Sequence, residues 1–197
     1  MTGARVLLIA GSPNDLDPVL EARAVLSQVG VAARICVASA HRTPELVGES
    51  IRAAEAEGAL AIIAFAGMAA HLAGVAAAQT RLPVIGVPLA VGPLAGIDAA
   101  LATLQMPPGT PVATVSIDGA ENAALLAARI AALRYPEVGR RLAERADRDR
   151  ERYAPERIVD HLRARGAASE PDAQADGEAD LTSDENPEGA ADEDAGD

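Results

Sequence analysis

The chain has 197 residues, of which 49% are hydrophobic but only 2% aromatic, so we expect one sizeable core built from Ala, Val, Leu and Ile. All 17 basic residues are arginine, which excludes a Schiff-base lysine and a P-loop lysine. The net charge of -12 arises in residues 166–197, which contain twelve acidic residues and no arginine. The rest of the chain is formally neutral, and this charge balance predicts neither a nucleic-acid partner nor a membrane partner.

The amino-terminal apolar run covers only residues 6–10, which is shorter than the apolar region of a signal peptide. No run reaches the roughly 20 apolar residues of a membrane span. The single cysteine, Cys36, allows no internal disulfide, and its apolar neighbours predict a small buried side chain. These features predict a soluble, cytoplasmic protein.

Apolar runs alternate with helix-like segments as far as residue 135. The expected strands are 6–10, 34–38, 60–64, 83–87 and 112–115. The expected helices are 16–29, 45–57, a small-residue helix ending at 78, 96–104 and 120–133. This alternation predicts an α/β fold, a three-layer αβα sandwich around a central parallel sheet, in a flavodoxin-like or Rossmann-like arrangement with right-handed connections.

Two further helices are expected after the sandwich, because Pro136 and Pro155 stand where a helix can begin. Each carries an apolar stripe, formed by Val138 and Leu142 in the first and by residues 158, 159 and 162 in the second. The predicted organisation is a catalytic domain at 1–135, C-terminal helices at 136–165 in a subunit interface, and a disordered acidic tail at 166–197. Solvated, salt-bridged helices are the alternative for 136–165.

The most distinctive stretch is residues 39–44, Ser-Ala-His-Arg-Thr-Pro, directly after the second expected strand. Ser39 and Arg42 suit a phosphate, and His41 is the side chain best able to move a proton near neutral pH. Open α/β sheets bind ligands at the carboxyl ends of their strands, so this position favours an active site. Thr43 and Pro44 equally suit a helix start, and the stretch taken alone also fits a helix cap beside a structural histidine.

Other loops open on the same edge of the sheet. In the first loop, Ser12 offers a hydroxyl beside Gly11 and a helix start, although Ser12 or Asp15 also suits a simple cap. The third loop, residues 66–74, consists mostly of tiny residues, and His71 is its one polar side chain. Both a catalytic and a structural role for His71 stay open. The fourth loop, residues 88–96, is apolar and suits either a lid or packing.

Taken in order, these loops resemble the N5-carboxyaminoimidazole ribonucleotide mutases of purine synthesis, the catalytic subunit of aminoimidazole ribonucleotide (AIR) carboxylase. The string at 39–44 is highly specific, and the resemblance covers residues 5–134. The other matching strings are Gly11-Ser12-x-x-Asp15, Ala69-Ala70-His71-Leu72, residues 82–88, Gly96-x-Asp98, residues 105–107 and residues 111–115.

The resemblance implies an enzyme that moves CO2 from N5 to C4 of the aminoimidazole ribotide without metal, ATP or organic cofactor. It implies a homo-octamer whose C-terminal helices reach neighbouring subunits. It also implies a functional link to the ATP-dependent synthetase that carboxylates AIR. The residue roles it implies are His41 as general acid and base, Ser12, Asp15 and Arg42 at the ribose phosphate with Ser39 nearby, and Gly67, Ala70 and His71 around the CO2.

The chain departs from the family's usual pattern at several places. Asn14 replaces a serine, and residues 90–92 replace a polar stretch that contains a basic residue. The glycine-rich third loop is interrupted by Phe65, Met68 and Ala73, and Ala99 and Ala102 replace serines. Three hypotheses therefore stand. The first is the mutase, which is favoured because the residues expected for acid–base chemistry and for phosphate binding are kept. The second is a related carboxylase that acts on AIR directly or on nicotinate ribotide, and the third is a catalytically silent nucleotide-binding paralogue.

Overall fold

A computed structural model of the chain describes residues 3–165, and its centre is a five-stranded parallel sheet. The predicted acidic tail at 166–197 lies outside the described residues. The strands are β1 (Arg5–Ala10), β2 (Ala32–Val37), β3 (Ala61–Gly67), β4 (Val84–Leu89) and β5 (Ala113–Thr114). Their order across the sheet is β2-β1-β3-β4-β5, so the chain reverses direction across the sheet between β1 and β3.

Helices cover both faces of the sheet, which confirms the predicted α/β fold. The helices are α1 (Leu16–Gln28), α2 (Pro44–Ala56), α3 (Leu72–Ala77), α4 (Ile97–Leu104), α5 (Ala120–Ala132), α6 (Pro136–Arg152) and α7 (Pro155–Ala164). One apolar cluster joins α1, α5 and the start of α6 to one face, and a second joins α2 and α3 to the other.

The near absence of aromatic residues is met by close packing of small side chains. In α5 every buried residue is an alanine, six in all, and α5 packs beside α1 over the sheet. Alanine is the strongest helix former and lets a helix lie near its neighbour. The only phenylalanine, Phe65, is fully buried on that same face, so this departure from the family pattern fills the core.

The edges of the sheet differ from the sequence-based expectations. Strand β2 is an edge strand, and its residues are only partly buried or exposed. Cys36 is therefore half-buried, and its Sγ lies 2.9 Å from Ser50 Oγ. The prediction of a buried Cys36 side chain was wrong, because the sequence does not reveal which strand lies at an edge.

Helix α6 packs on the sheet-containing unit, which extends to Glu151 and so beyond residue 135. Val138 is fully buried against the core cluster, and Leu142 packs against it. Arg145 donates a hydrogen bond to Gln28 Oε1 at 2.8 Å and pairs with Glu121. The apolar stripe of α6 thus has its partner within the chain. Helix α7 belongs to a separate unit that begins at Arg152, and its Ile158, Val159 and Leu162 are exposed. None of the helices described here is long and apolar enough to cross a membrane.

Candidate active site

A cleft of about 440 Å³ opens at the carboxyl ends of β1, β2 and β3. This is the edge of the sheet beside the reversal between β1 and β3, where open α/β folds bind their ligands. The predicted site residues that line it are Ser12, Asp15, Ser39, His41, Arg42, Gly67 and His71. The loops that are separate in the sequence therefore share one cleft.

The loop after β2 is held in shape by the hydroxyls of Ser39 and Thr43. Ser39 Oγ accepts the backbone N–H groups of His41 and Arg42, each at 3.3 Å. Thr43 Oγ1 accepts the backbone N–H of Ser39 at 2.9 Å, and the Thr43 N–H donates to Ser39 O at 2.9 Å. Ser39 and Thr43 thereby position the backbone of both candidate functional residues, and Pro44 begins α2 directly behind them.

The two cleft histidines are in direct contact. His41 Nε2 lies 2.8 Å from His71 Nδ1, and the rings meet edge to face with centroids 5.0 Å apart. One nitrogen must carry the proton and the other must accept it, because two protonated nitrogens cannot share this distance. His41 comes from the loop after β2, whereas His71 is the residue that precedes α3. This hydrogen bond joins the two loops at the mouth of the cleft, where both histidines are exposed.

The first loop contributes a hydroxyl and a buried carboxylate. Ser12 caps a short turn at Pro13–Asp15, and its Oγ accepts the backbone N–H of Asn14 at 3.2 Å. Asp15 is only 7% exposed. Burial raises the pKa of the Asp15 carboxyl above its ordinary value of 3.8, and a hydrogen bond from the backbone of Ser12 opposes this effect. Asp15 is thus a carboxyl beneath the cleft whose charged form is poorly solvated.

Arg42 supplies the positive charge of the cleft. Its guanidinium is exposed and forms no ion pair with any carboxylate in residues 3–165. An arginine with free donors in the same cleft as the hydroxyl of Ser12 suits a phosphate or carboxylate ligand. Within the same part of the chain, no group of three or more His, Cys, Asp or Glu side chains is arranged to hold a metal ion.

The structure changes the predicted set in the third loop. Ala70 is 3% exposed and does not line the cleft, whereas the neighbouring Ala69 does. Gly67 lines the cleft at the end of β3. Ala73, at another departure from the family pattern, is buried inside α3 and faces away from solvent.

Sequence reasoning did not include Asn14, Met68 and Val91 among the site residues, although all three line the cleft. The available signal was that each stands at a departure from the family pattern. Met68 is also in the left-handed region of the backbone, with φ of 55°, which glycine usually occupies.

The fourth loop is hydrogen-bonded to Asp118, which lies two residues before α5 begins. Asp118 Oδ1 accepts the backbone N–H of Ala90 at 2.9 Å. The backbone N–H of Asp118 donates to Pro88 O, also at 2.9 Å. These two hydrogen bonds hold Val91 in place at the cleft wall.

Comparisons with known proteins show which family and which structures this chain resembles. A family model described as AIR carboxylase matches residues 5–152. The N5-carboxyaminoimidazole ribonucleotide mutase of Pyrococcus abyssi is 53% identical over 138 residues, which cover 70% of this chain and 79% of that protein. The mutase of Thermotoga maritima is 46% identical over 144 residues, which cover 73% of this chain and 84% of that protein. The crystal structure of Treponema denticola PurE has a TM-score of 0.71 and 26% identity, with coverage of 82% of this chain and 98% of that one.

Proposed function

This chain belongs to the AIR carboxylase family, and we propose that it is an N5-carboxyaminoimidazole ribonucleotide mutase of purine biosynthesis, an isomerase. The observation that carries the proposal is the contact between His41 and His71 in a cleft that also contains Arg42 and Ser12. An acid–base pair beside an anion-binding group is what transfer of CO2 within a phosphorylated heterocycle requires.

The ribose phosphate end of the substrate would lie against Ser12 and Arg42. The free guanidinium donors and the hydroxyl support this assignment. Asp15 is proposed to bind the ribose phosphate end of the substrate through a ribose hydroxyl, because a carboxylate accepts a hydrogen bond from a hydroxyl but repels a phosphate. Ser39 acts on this site through the backbone of Arg42.

His41 is proposed as the proton shuttle. Protonation of the carbamate nitrogen by His41 accompanies cleavage of its N–C bond and yields AIR and CO2. Carbon C4 of the ring then attacks CO2, and the proton released from C4 returns to His41. The proton balance is zero, so one imidazole serves first as acid and then as base. His71, 2.8 Å from His41, would orient the ring and accept or return the shared proton. Gly67 would let the reacting ring approach the backbone at the end of β3.

The proposal includes assembly into a homo-oligomer, an octamer by analogy with the family. It is supported by an apolar stripe on α4 and the preceding loop, formed by Leu94, Ile97, Leu101 and Leu104, which are 52–60% exposed. The exposed stripe of α7 is a second candidate contact between copies, in keeping with the predicted role of 136–165. A cytoplasmic location and a functional link to the synthetase that makes the carbamate belong to the same proposal.

The test is direct conversion of substrate. Purified full-length protein is mixed with N5-carboxyaminoimidazole ribonucleotide, and formation of the C4-carboxylated product is followed by absorbance. His41→Asn should lower kcat by a factor of about 10² to 10⁴, the usual contribution of a general acid–base group. His161→Asn, which changes the histidine of α7, is the matched control and should retain the wild-type rate. A wild-type protein that forms no product, with AIR plus dissolved CO2 also inactive, would refute the proposed function.

A further inference from the structure

The loop after β2 is an exposed segment between two buried anchors. Ala38 is 2% exposed, and its backbone N–H donates to Ala10 O of β1 at 2.9 Å. Val47, in the first turn of α2, is fully buried. His41 and Arg42 lie between these anchors and are exposed. Burial therefore does not fix the candidate functional residues, and their position depends on hydrogen bonds within the loop.

Thr43 connects this loop to α2. Its carbonyl oxygen accepts the backbone N–H of Leu46 at 3.1 Å, within the first turn of the helix. Its own backbone N–H donates to Ser39 O, and its Oγ1 accepts the backbone N–H of Ser39, both at 2.9 Å. Thr43 thus holds Ser39 through both of the backbone polar groups of that serine. Since Thr43 is bonded to the helix, Ser39 takes its position from α2.

The Ser39 hydroxyl is shared by the two candidate functional residues. Its oxygen accepts the backbone N–H groups of His41 and Arg42, each at 3.3 Å. A hydroxyl oxygen has two acceptor sites, so these two hydrogen bonds use both of them. The His41 ring is hydrogen-bonded to His71, and Ser39 Oγ holds the backbone end of the same residue. A displacement of the Arg42 backbone would therefore displace the oxygen that also positions His41.

On the basis of the proposed function, we propose that Thr43 is a positioning residue that couples the phosphate contact of Arg42 to proton transfer by His41. A phosphate bound to the Arg42 guanidinium restrains the Arg42 backbone, and through Ser39 Oγ it restrains His41 as well. The phosphate takes no part in the bond changes, but its binding energy is then used to orient the general acid and base. That energy should appear in kcat as well as in KM. Without the Thr43 hydroxyl, Ser39 is held less firmly, and the phosphate contact should act on KM alone.

The experiment is a double-mutant cycle in the full-length protein, with conversion of N5-carboxyaminoimidazole ribonucleotide as the assay. Arg42→Gln removes the phosphate contact, and Thr43→Val removes the hydroxyl but keeps the branched shape. In the otherwise wild-type chain, Arg42→Gln should raise KM and lower kcat, each roughly 10-fold. Thr43→Val should lower kcat about 10- to 100-fold, because a small misplacement of a reacting group has an effect of that size. In the Thr43→Val chain, Arg42→Gln should still raise KM but should lower kcat less than about twofold.

Two further variants separate positioning from a general loss of structure. Thr43→Ser keeps the hydroxyl and should restore both the rate and the effect of Arg42→Gln on kcat. Thr80→Val is the matched control, because the Thr80 hydroxyl likewise accepts a backbone N–H, that of Leu82 at 3.0 Å, and Thr80 does not line the cleft. Circular dichroism checks that each variant is folded. If Thr43→Val does not fold, Ser39→Ala removes the shared acceptor instead and should give the same pattern.

The outcomes are distinct. An equal factor in kcat for Arg42→Gln with and without the Thr43 hydroxyl would overturn the coupling, and so would an effect of Arg42→Gln on KM alone in the otherwise wild-type chain. A Thr43→Val protein that loses stability but keeps the wild-type kcat would show that Thr43 is purely structural. Absence of any C4-carboxylated product with the wild type would instead overturn the proposed function, and the role of Thr43 with it.

Discussion

Substitution of Gly86 by alanine tests how closely α4 packs on the sheet. Gly86 lies inside β4, paired with Ala64 on one side and Thr114 on the other. A Cβ at this position would overlap Cγ2 of Thr103 and would lie 3.1 Å from Cγ1 of Val112. Thr103 cannot turn away freely, because it is 2% exposed and its Oγ1 donates to Ala99 O at 2.7 Å.

The expected magnitude is the balance of two opposing terms. Overpacking of a well-packed core costs about 1–3 kcal/mol. Replacement of glycine by alanine returns about 0.4–1 kcal/mol by restricting the unfolded chain. We therefore expect Gly86→Ala to lower the free energy of unfolding by about 1–2 kcal/mol, a fall in Tm of roughly 2–8 °C for a chain of this size.

The assay is denaturant unfolding at one fixed protein concentration. Unfolding is followed by far-ultraviolet circular dichroism, because the chain has no tryptophan to report it by fluorescence. Thr103→Ser removes Cγ2 but keeps the hydroxyl that bonds to Ala99 O. The double variant Gly86→Ala/Thr103→Ser should therefore be more stable than the sum of the single effects by about 1 kcal/mol. Gly139→Ala in α6 is the control, because its Cβ would meet nothing nearer than Ala132 Cβ at 3.7 Å. Strict additivity of the two substitutions would refute the packing argument.

Three further predictions concern the cleft. His71→Asn should lower kcat roughly 10- to 100-fold by removing the hydrogen bond that orients His41, while KM changes little; an unchanged kcat would show that His41 is oriented without it. Asp15→Asn should weaken ribotide binding but stabilise the fold at neutral pH. Because the pKa of Asp15 is raised in the folded state, the free energy of unfolding of the wild type falls as pH rises from about 3.8 through that raised pKa. The difference in the free energy of unfolding between Asp15→Asn and the wild type, measured by denaturant unfolding, should therefore grow over this pH range. Above it the difference should stay constant. Asp118→Ala should lower the free energy of unfolding by about 1 kcal/mol and raise KM, because the hydrogen bond to the backbone N–H of Ala90 is lost. Asp118→Asn keeps an acceptor for that hydrogen bond and should be near wild type in the same assays.

The sequence by itself determined the fold class and which loops meet at the cleft. Buried parallel strands are continuous apolar runs, and the strands at 61–67 and 84–89 stand out for this reason. Residues 39–44 were predicted to be functional because their order is specific. A parallel sheet brings all strand-to-helix loops to one edge, so the sharing of one cleft by His41 and His71 followed from the topology.

Only the tertiary structure decided which side chains touch. The strand order makes β2 an edge, and this leaves Cys36 half-buried. The contact between His41 and His71 depends on the relative height of two loops, which periodicity does not encode. The burial of Asp15 and the exposure of Met68 likewise depend on which residues distant in the chain pack around them. A linear pattern reports local preference, whereas burial, pKa and contact are set by atoms that the fold brings together.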